Sequence, residues 1–300
     1  MENTDMADGT YVVFGATGHV GGVIADRLLS AGKKVRVVAR SAGKLAALQA
    51  RGAEVAAGEV TDAAFATRAL QGAIAAFLLI PPPSLRPFQD QVIAALGQAV
   101  EQGRVPRVVT LSSIGADQPS GNGPIGGLHA LEQRLARIPG LSALHLRAGY
   151  FLENFLGSLG MIKGMGLNGS AIHADLPMKM VAAADIGEVG ARRLLALDWQ
   201  GTEVQEVQGE RDLTMAQATA ALGAAIGKPA LPYVAFPYPD AEQGMIGAGL
   251  PPELAKAYVD MARGFNEGIC RSLQPRSART TTPTSVETWA RQVFAPAHGA

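Results

Sequence analysis

Three glycines recur at three-residue spacing, Gly15, Gly18 and Gly21, inside the stretch from Tyr11 to Gly22. The chemistry that such a pattern serves is the capture of a phosphate dianion. A helix N-terminus presents unpaired N–H groups and about half a positive charge. Gly15 lets the chain turn sharply, Gly18 removes the side chain that would block a pyrophosphate, and Gly21 lets the helix pack close to the strand. Thr17, His19 and Val20 complete the loop and are expected to touch the same ligand. The spacing is G-x-x-G-x-x-G rather than G-x-G-x-x-G, and an ordinary strand-to-helix turn can carry three glycines. The context favours a nucleotide: a strand precedes the loop and an amphipathic helix follows it.

The elements that must position this loop are legible as alternating periods. Tyr11–Phe14 is a buried strand. Val20, Val23, Ile24 and Leu28 then return at helical spacing. Lys34–Arg40 is a second strand, and Ser41 caps a helix running to about Ala50. In a dinucleotide-binding sheet the end of strand two meets the ribose, where an acidic residue would bind the free 2′-hydroxyl of NAD. Here that position carries Arg40, with Lys44 four residues on. Two cations aimed at one spot suit a 2′-phosphate, so NADP(H) is the expected cofactor; solvated charges at a helix start would read the same way. Ala53–Ala57 is strand three. Asp62 either bonds the adenine amino group or simply caps the next helix. Ala75–Ile80 is a continuous apolar run, as a central parallel strand requires. The loop that follows places Ile80, Pro81 and Pro82 in the cofactor site, at the C-terminal edge where open α/β sheets bind ligands. A helix over Phe88–Gln102, a strand over Pro106–Ser113, a helix over His129–Ile138 and a strand over Ser142–Arg147 complete a doubly wound parallel α/β sheet.

From Gly149 the character changes to short mixed elements. Residues 1–9 are expected to be a disordered tail, 10–150 the nucleotide-binding domain, and 151–300 a smaller mixed α/β C-terminal substrate lobe. Phe151–Met161 reads as an apolar helix, Gly164–Ser170 as a loose segment or lid, and Thr284-x-x-Glu287 as a capping box for the last helix. Phe151, Asn154, Phe155, Met165 and Phe236 are candidates for lining a substrate pocket, although such clusters also occur as plain core.

Composition narrows the classes. The chain has 300 residues, 26 basic and 26 acidic, and a formal net charge of zero. No basic stripe stands out, so nucleic acid is not an expected partner. The single cysteine, Cys270, excludes an internal disulfide, and a cytoplasmic setting is expected. No apolar run approaches the ~20 residues of a membrane helix. No His, Cys or carboxylate set has metal-site spacing, so no metal is expected. A homodimer is compatible with the sequence but not specified by it.

Taken together, Gly15-Ala-Thr-Gly-His-Val-Gly21, Val37–Arg40 with Lys44, Phe77–Pro82, Val109–Ser113, Leu146–Asn154 and Ala184–Gly187 resemble the NmrA-like branch of the atypical short-chain dehydrogenase/reductases. The resemblance spans almost the whole chain. It implies a Rossmann domain binding NADP(H) in an extended cleft. It also implies one of two functions: NADPH-dependent reduction of quinones or dyes, or cofactor sensing by a regulator that turns nothing over.

The active site departs from the larger superfamily. That group uses a serine after strand five and Tyr-x-x-x-Lys on the next helix, the lysine lowering the tyrosine pKa. Here Ser113 is in place, His129 stands at the tyrosine position and Gln133 at the lysine position. His129 either donates a proton or hydrogen bond to a substrate oxygen or is a structural residue near the helix start. Ser113 either orients a carbonyl or simply closes the strand. Quinones and cationic dyes are strong electrophiles, and hydride transfer to them needs mainly proximity and orientation. The expected function is therefore hydride transfer from NADPH to a quinone-like or other conjugated, electron-poor small molecule. A non-catalytic sensor and a specialised reductase or isomerase of a biosynthetic carbonyl compound are the alternatives.

Overall fold

The computed structural model describes residues 9–299. The tail expected over residues 1–9 lies, apart from Gly9, outside the described residues. Contacts gather the chain into two compact units, each assembled from separate stretches of sequence. One takes the residues up to Ser112 with Gly127–Leu146 and Ile186–Gln205; the other takes Ser113–Gly126, Arg147–Asp185 and the chain from Glu206 onward.

The first unit alternates strands and helices: β1 (Thr10–Phe14), α1 (His19–Ser30), β2 (Lys34–Ala39), α2 (Ala46–Ala50), β3 (Glu54–Ala57), α3 (Ala63–Leu70), β4 (Ala73–Leu78), α4 (Arg86–Gln102), β5 (Arg107–Ser113), α5 (Ile125–Ala136) and β6 (Ser142–Ala148). Later in the chain come α7 (Ala183–Ala196) and β10 (Thr202–Val207). The seven-stranded sheet runs β10-β6-β5-β4-β1-β2-β3. The pairs from β5 through β4, β1 and β2 to β3 are parallel. Read from β3 to β6, this is the doubly wound order of dinucleotide-binding sheets, with its switch point between β1 and β4. β4 is buried at every residue but Ile74, as a strand covered on both faces must be. Phe14, Val38, Leu78, Leu96 and Leu135 share its core.

Two glycines let α7 close on α1. A Cβ at Gly187 would lie 2.6 Å from Cβ of Val23, and one at Gly190 would lie 2.9 Å from Cδ1 of Ile24. Backbone proximity here replaces side-chain interdigitation, so Gly187 serves packing.

The second unit holds two small sheets. One orders β11 (Asp212–Leu213), β9 (Met178–Val181) and β7 (Tyr150–Phe151); the other pairs β12 (Tyr233–Ala235) with β8 (Asn168–Ser170). Around them lie α6 (Leu159–Met165), α8 (Met215–Ala225), α9 (Tyr238–Gly247), α10 (Pro252–Asn266) and α11 (Val286–Trp289). Leu152, Phe155, Met178, Met180, Trp289 and Phe294 form the core.

Three local expectations change here. The helix read over Phe151–Met161 is instead the strand β7, a 3-10 stretch over Leu152–Ser158 and then α6. The loose segment Gly164–Ser170 is largely ordered by pairing. α6 runs to Met165, Gly166 closes it in the left-handed region at φ 70°, and Asn168–Ser170 is β8. The Asn168 side chain is buried and donates to the Thr219 hydroxyl at 2.8 Å, which ties the segment to α8. Finally, Ser285 rather than Thr284 caps α11, accepting from the Thr288 N–H. Thr284 gives both its N–H and its hydroxyl to Asp185, at 3.0 and 2.7 Å.

α8 carries a complete capping box. The Thr214 hydroxyl accepts from the Gln217 N–H at 3.1 Å, and the Gln217 side chain accepts from the Thr214 N–H at 3.0 Å. Thr214→Ala is expected to lower unfolding free energy by about 1 kcal/mol, measured by chemical denaturation at unchanged denaturant slope.

Candidate functional site

The turn between β1 and α1 is built from backbone alone. Gly15 adopts φ 65°, which a side chain would resist. Its N–H donates to the Val38 carbonyl at 3.1 Å, and its carbonyl accepts from the Gly18 N–H at 2.9 Å. Gly18 is the N-cap of α1, with no side chain to accept from the helix, and the first turn contains no acidic residue. The first N–H groups of a helix have no intrahelical partner, so the positive end of α1 is uncompensated by its own sequence. Thr17, Gly18 and His19 are exposed there, while Val20 and Gly21 are buried.

The glycines do different jobs. A Cβ at Gly21 would fall 2.4 Å from the Gly15 carbonyl oxygen and 2.8 Å from its carbon; one at Gly18 would meet only that oxygen, at 3.3 Å. Gly21 is therefore required by packing. Gly18 is exposed at the helix end and presents no side chain there, which fits the approach of a pyrophosphate.

Arg40 directly follows β2, and Lys44 lies in the 3-10 turn Ala42–Leu45 that replaces the first part of the expected helix. Both are exposed, and neither forms an ion pair with a described residue. Ser41 is expected from the sequence as a helix cap. Its side chain makes no cap hydrogen bond, so this hydroxyl also stands beside Arg40. Asp62 caps α3, accepting from the Phe65 N–H at 3.0 Å. Beyond β4, Ile80 is buried, Pro81 half-buried and Pro82 exposed.

On β5 the two serines separate. Ser113 is half-buried, and its hydroxyl donates to the Ile114 carbonyl at 3.0 Å. Ser112, which the sequence did not single out, is buried and donates to Glu132 at 2.6 Å. Glu132 thus ties α5 to β5. His129 sits one turn earlier on α5 and is half-buried; Gln133 is exposed.

The five residues proposed for a substrate pocket take different settings in the second unit. Phe155 is a core side chain, its ring 5.6 Å from that of Tyr150. Phe151 pairs with Val181 in β7. Asn154 is exposed and hydrogen-bonds Tyr150, whose phenol burial raises well above its ordinary pKa. Met165 is 65 % exposed at the end of α6. The Phe236 ring lies over Gly169, where a Cβ would come within 2.4 Å of it.

A cavity of about 140 Å³ opens elsewhere in this unit, and none of those five lines it. Ile114, Tyr150, Leu176, Met178, Phe265 and Cys270 supply its apolar wall, and Lys179, Arg271 and Ser272 its polar groups. Burial pushes the Cys270 thiol up to about 12, with the charge of Asp117 adding to the rise, so this cysteine is a neutral wall and no nucleophile. The stretch after Cys270 is held by Glu206, a carboxylate 2 % exposed. It accepts from the Leu273 N–H at 2.6 Å, the Gln208 amide at 2.9 Å and the Ser272 hydroxyl.

Among the described residues no group of three or more His, Cys, Asp or Glu side chains can hold a metal ion, and no helix is long and apolar enough to cross a membrane.

A doubly wound sheet with a glycine turn at the head of its first helix defines a dinucleotide-binding protein. The NmrA-like family model matches residues 7–289, and the chain belongs to that family. It is 32 % identical over 252 residues to the NAD(P)H azoreductase of Xenophilus azovorans, covering 83 % of this chain and 85 % of the relative. It is 30 % identical over 264 residues to the (4-alkanoyl-5-oxo-2,5-dihydrofuran-3-yl)methyl phosphate reductase of Streptomyces griseus, covering 88 % and 90 %. Among solved structures, the NADPH-dependent quinone oxidoreductase of Escherichia coli complexed with NADPH superimposes with a TM-score of 0.79 at 25 % identity, over 95 % of this chain and 99 % of that one.

The glycine geometry makes a paired prediction. Gly21→Ala is expected to cost about 2 kcal/mol of stability through overpacking. Gly18→Ser, at an extended N-cap position that favours serine as well as glycine, is expected to change stability by less than about 0.5 kcal/mol. Thermal melts of the two variants check this, and equal losses would remove the distinction between the packing and the binding glycine.

Proposed function

We propose that this chain is an NADPH-dependent oxidoreductase that reduces small, conjugated, electron-poor acceptors. The observation that carries the reading is the uncapped, open N-terminus of α1, together with two exposed cations, Arg40 and Lys44, that no described acidic residue neutralises. The backbone N–H groups around Thr17–Gly21 would hold the pyrophosphate. Arg40, with Lys44 and the Ser41 hydroxyl, would hold a 2′-phosphate, to which a guanidinium can donate two parallel hydrogen bonds. Ile80, Pro81 and Pro82 would border the same cleft. When bound, NADPH supplies the hydride.

The three relatives described above are named for acting on an azo compound, an unsaturated furanone phosphate and a quinone. Each of those acceptors is an electron-poor conjugated system. That shared chemistry supports the same acceptor class here. It would also suit His129 and Gln133, the residues expected where a conventional dehydrogenase has tyrosine and lysine. An acceptor that already stabilises added electron density needs orientation more than a strong acid.

NADPH oxidation followed at 340 nm with quinones and azo compounds tests the reading. Steady turnover with at least one acceptor is expected. Tight coenzyme binding with no turnover would replace it with a cofactor sensor. Arg40→Ala is expected to weaken NADPH binding about 10- to 100-fold, the loss of a charge-assisted hydrogen bond, and to leave NADH binding nearly unchanged. Equal calorimetric losses for both coenzymes would remove the 2′-phosphate assignment. His129→Ala is expected to lower kcat less than about 10-fold, well below the 10²–10⁴-fold typical of general acid–base catalysis. A larger loss with unchanged coenzyme affinity would make His129 an essential acid.

A further inference from the structure

We infer that the cavity of the second unit is an acceptor subsite for one aromatic or quinonoid ring bearing an anionic substituent, with Arg271 as the residue that selects for the anion. The inference rests on the acceptor class proposed above and names its charge and size.

Size comes first. The cavity holds about 140 Å³. An apolar cavity of roughly 150 Å³ accommodates a benzene ring, whereas whole drug-sized ligands occupy some 300–1,000 Å³. One ring fits; a fused or extended dye would enter by one end only. The wall matches a ring as well. Ile114, Leu176, Met178 and Phe265 are apolar, and the Cys270 thiol is held neutral beside them.

Charge comes second. The cavity's two cations are not equivalent. Lys179 is committed to Asp212, both of whose carboxylate oxygens lie within 2.8 Å of its Nζ, and Arg276 shares that carboxylate. Arg271 is exposed and has only a 3.4 Å hydrogen bond to the Gly268 carbonyl. No described carboxylate pairs with it. Glu206 holds the neighbouring Ser272 and Leu273, so the chain bearing Arg271 is anchored at a buried carboxylate rather than trailing in solvent. A planar guanidinium at the mouth of a ring-sized apolar cavity fits a carboxylate, sulfonate or phosphate carried by the ring.

The test is calorimetric binding of benzenesulfonate and of neutral benzamide to the full-length protein, beside NADPH oxidation with 1,4-benzoquinone and its carboxylate. Benzenesulfonate is expected to bind more tightly than benzamide. Arg271→Gln is expected to reduce that ratio at least tenfold, and Arg271→Lys, which keeps the charge but not the fork, to reduce it less. Leu176→Trp, which fills the cavity from a half-buried position, is expected to weaken both ligands. An unchanged ratio in Arg271→Gln overturns the inference. So does unchanged sulfonate binding in Leu176→Trp, which would place the anion outside the cavity. If sulfonate binding follows Arg271 but no quinone is reduced, the acceptor reading falls while the anion site stands. If quinones are reduced and binding ignores Arg271, the site falls and the oxidoreductase stands.

Discussion

The interaction on which the nucleotide-binding unit depends is a contact between two stretches of main chain. The Gly15 carbonyl accepts from the Gly18 N–H, and the space that a Cβ at Gly21 would need is filled by that same carbonyl. This close approach sets where α1 begins, and the first N–H groups of a helix have no partner within it. No acidic residue occupies the first turn, so the helix end keeps its full attraction for an anion. Electrostatics and packing are thus fixed by one set of glycines, and neither can be altered alone except at Gly18.

Acidic side chains elsewhere are spent on holding the chain together. Glu132 fastens β5 to α5 through Ser112. Glu153 accepts from the Ala183 N–H and from the Trp289 indole. Asp185 takes two hydrogen bonds from Thr284, and Glu206 holds residues 272–273. Each carboxylate satisfies backbone or hydroxyl donors at a junction between non-adjacent segments. Buried donors left without such partners would cost about 1–3 kcal/mol each. Glu153 and Asp185, which lie in stretches that carry the family resemblance, therefore do structural work.

This explains which parts of the molecule were legible from sequence. The sheet was, because its strands are short apolar runs separated by helical periods. Asp62 was readable as a cap because a helix start has local grammar. The capping box at residues 284–287 misled by one residue: Thr284 fits the local pattern, but a partner 99 positions away takes its hydrogen bonds. Phe155 and Met165 look alike as apolar residues near a glycine-rich segment, yet one is core and the other solvent-facing. Composition cannot separate them, since only the fold decides which side of a short element is covered. The cavity escaped notice for the same reason. Its wall is drawn from residues 114, 149–150, 176–179, 265, 268 and 270–272, and no stretch among them carries a signal of its own.

The proposed sites would hold charge by two kinds of physics, and the difference matters for what each can recognise. A helix end offers diffuse positive potential and a row of N–H groups, which suits a phosphate bridge of fixed shape and discriminates little between the groups attached to it. A guanidinium offers a directional fork and a full charge, which distinguishes one substituent from another. The pyrophosphate common to both coenzymes needs only the first, whereas the 2′-phosphate that separates them calls for the second. Choice of acceptor needs the second, because an apolar wall alone separates similar rings by only about 1–3 kcal/mol. Specificity in this chain is therefore expected to reside in a few exposed cations set against generic apolar surface, with Arg40 choosing between coenzymes and Arg271 between acceptors.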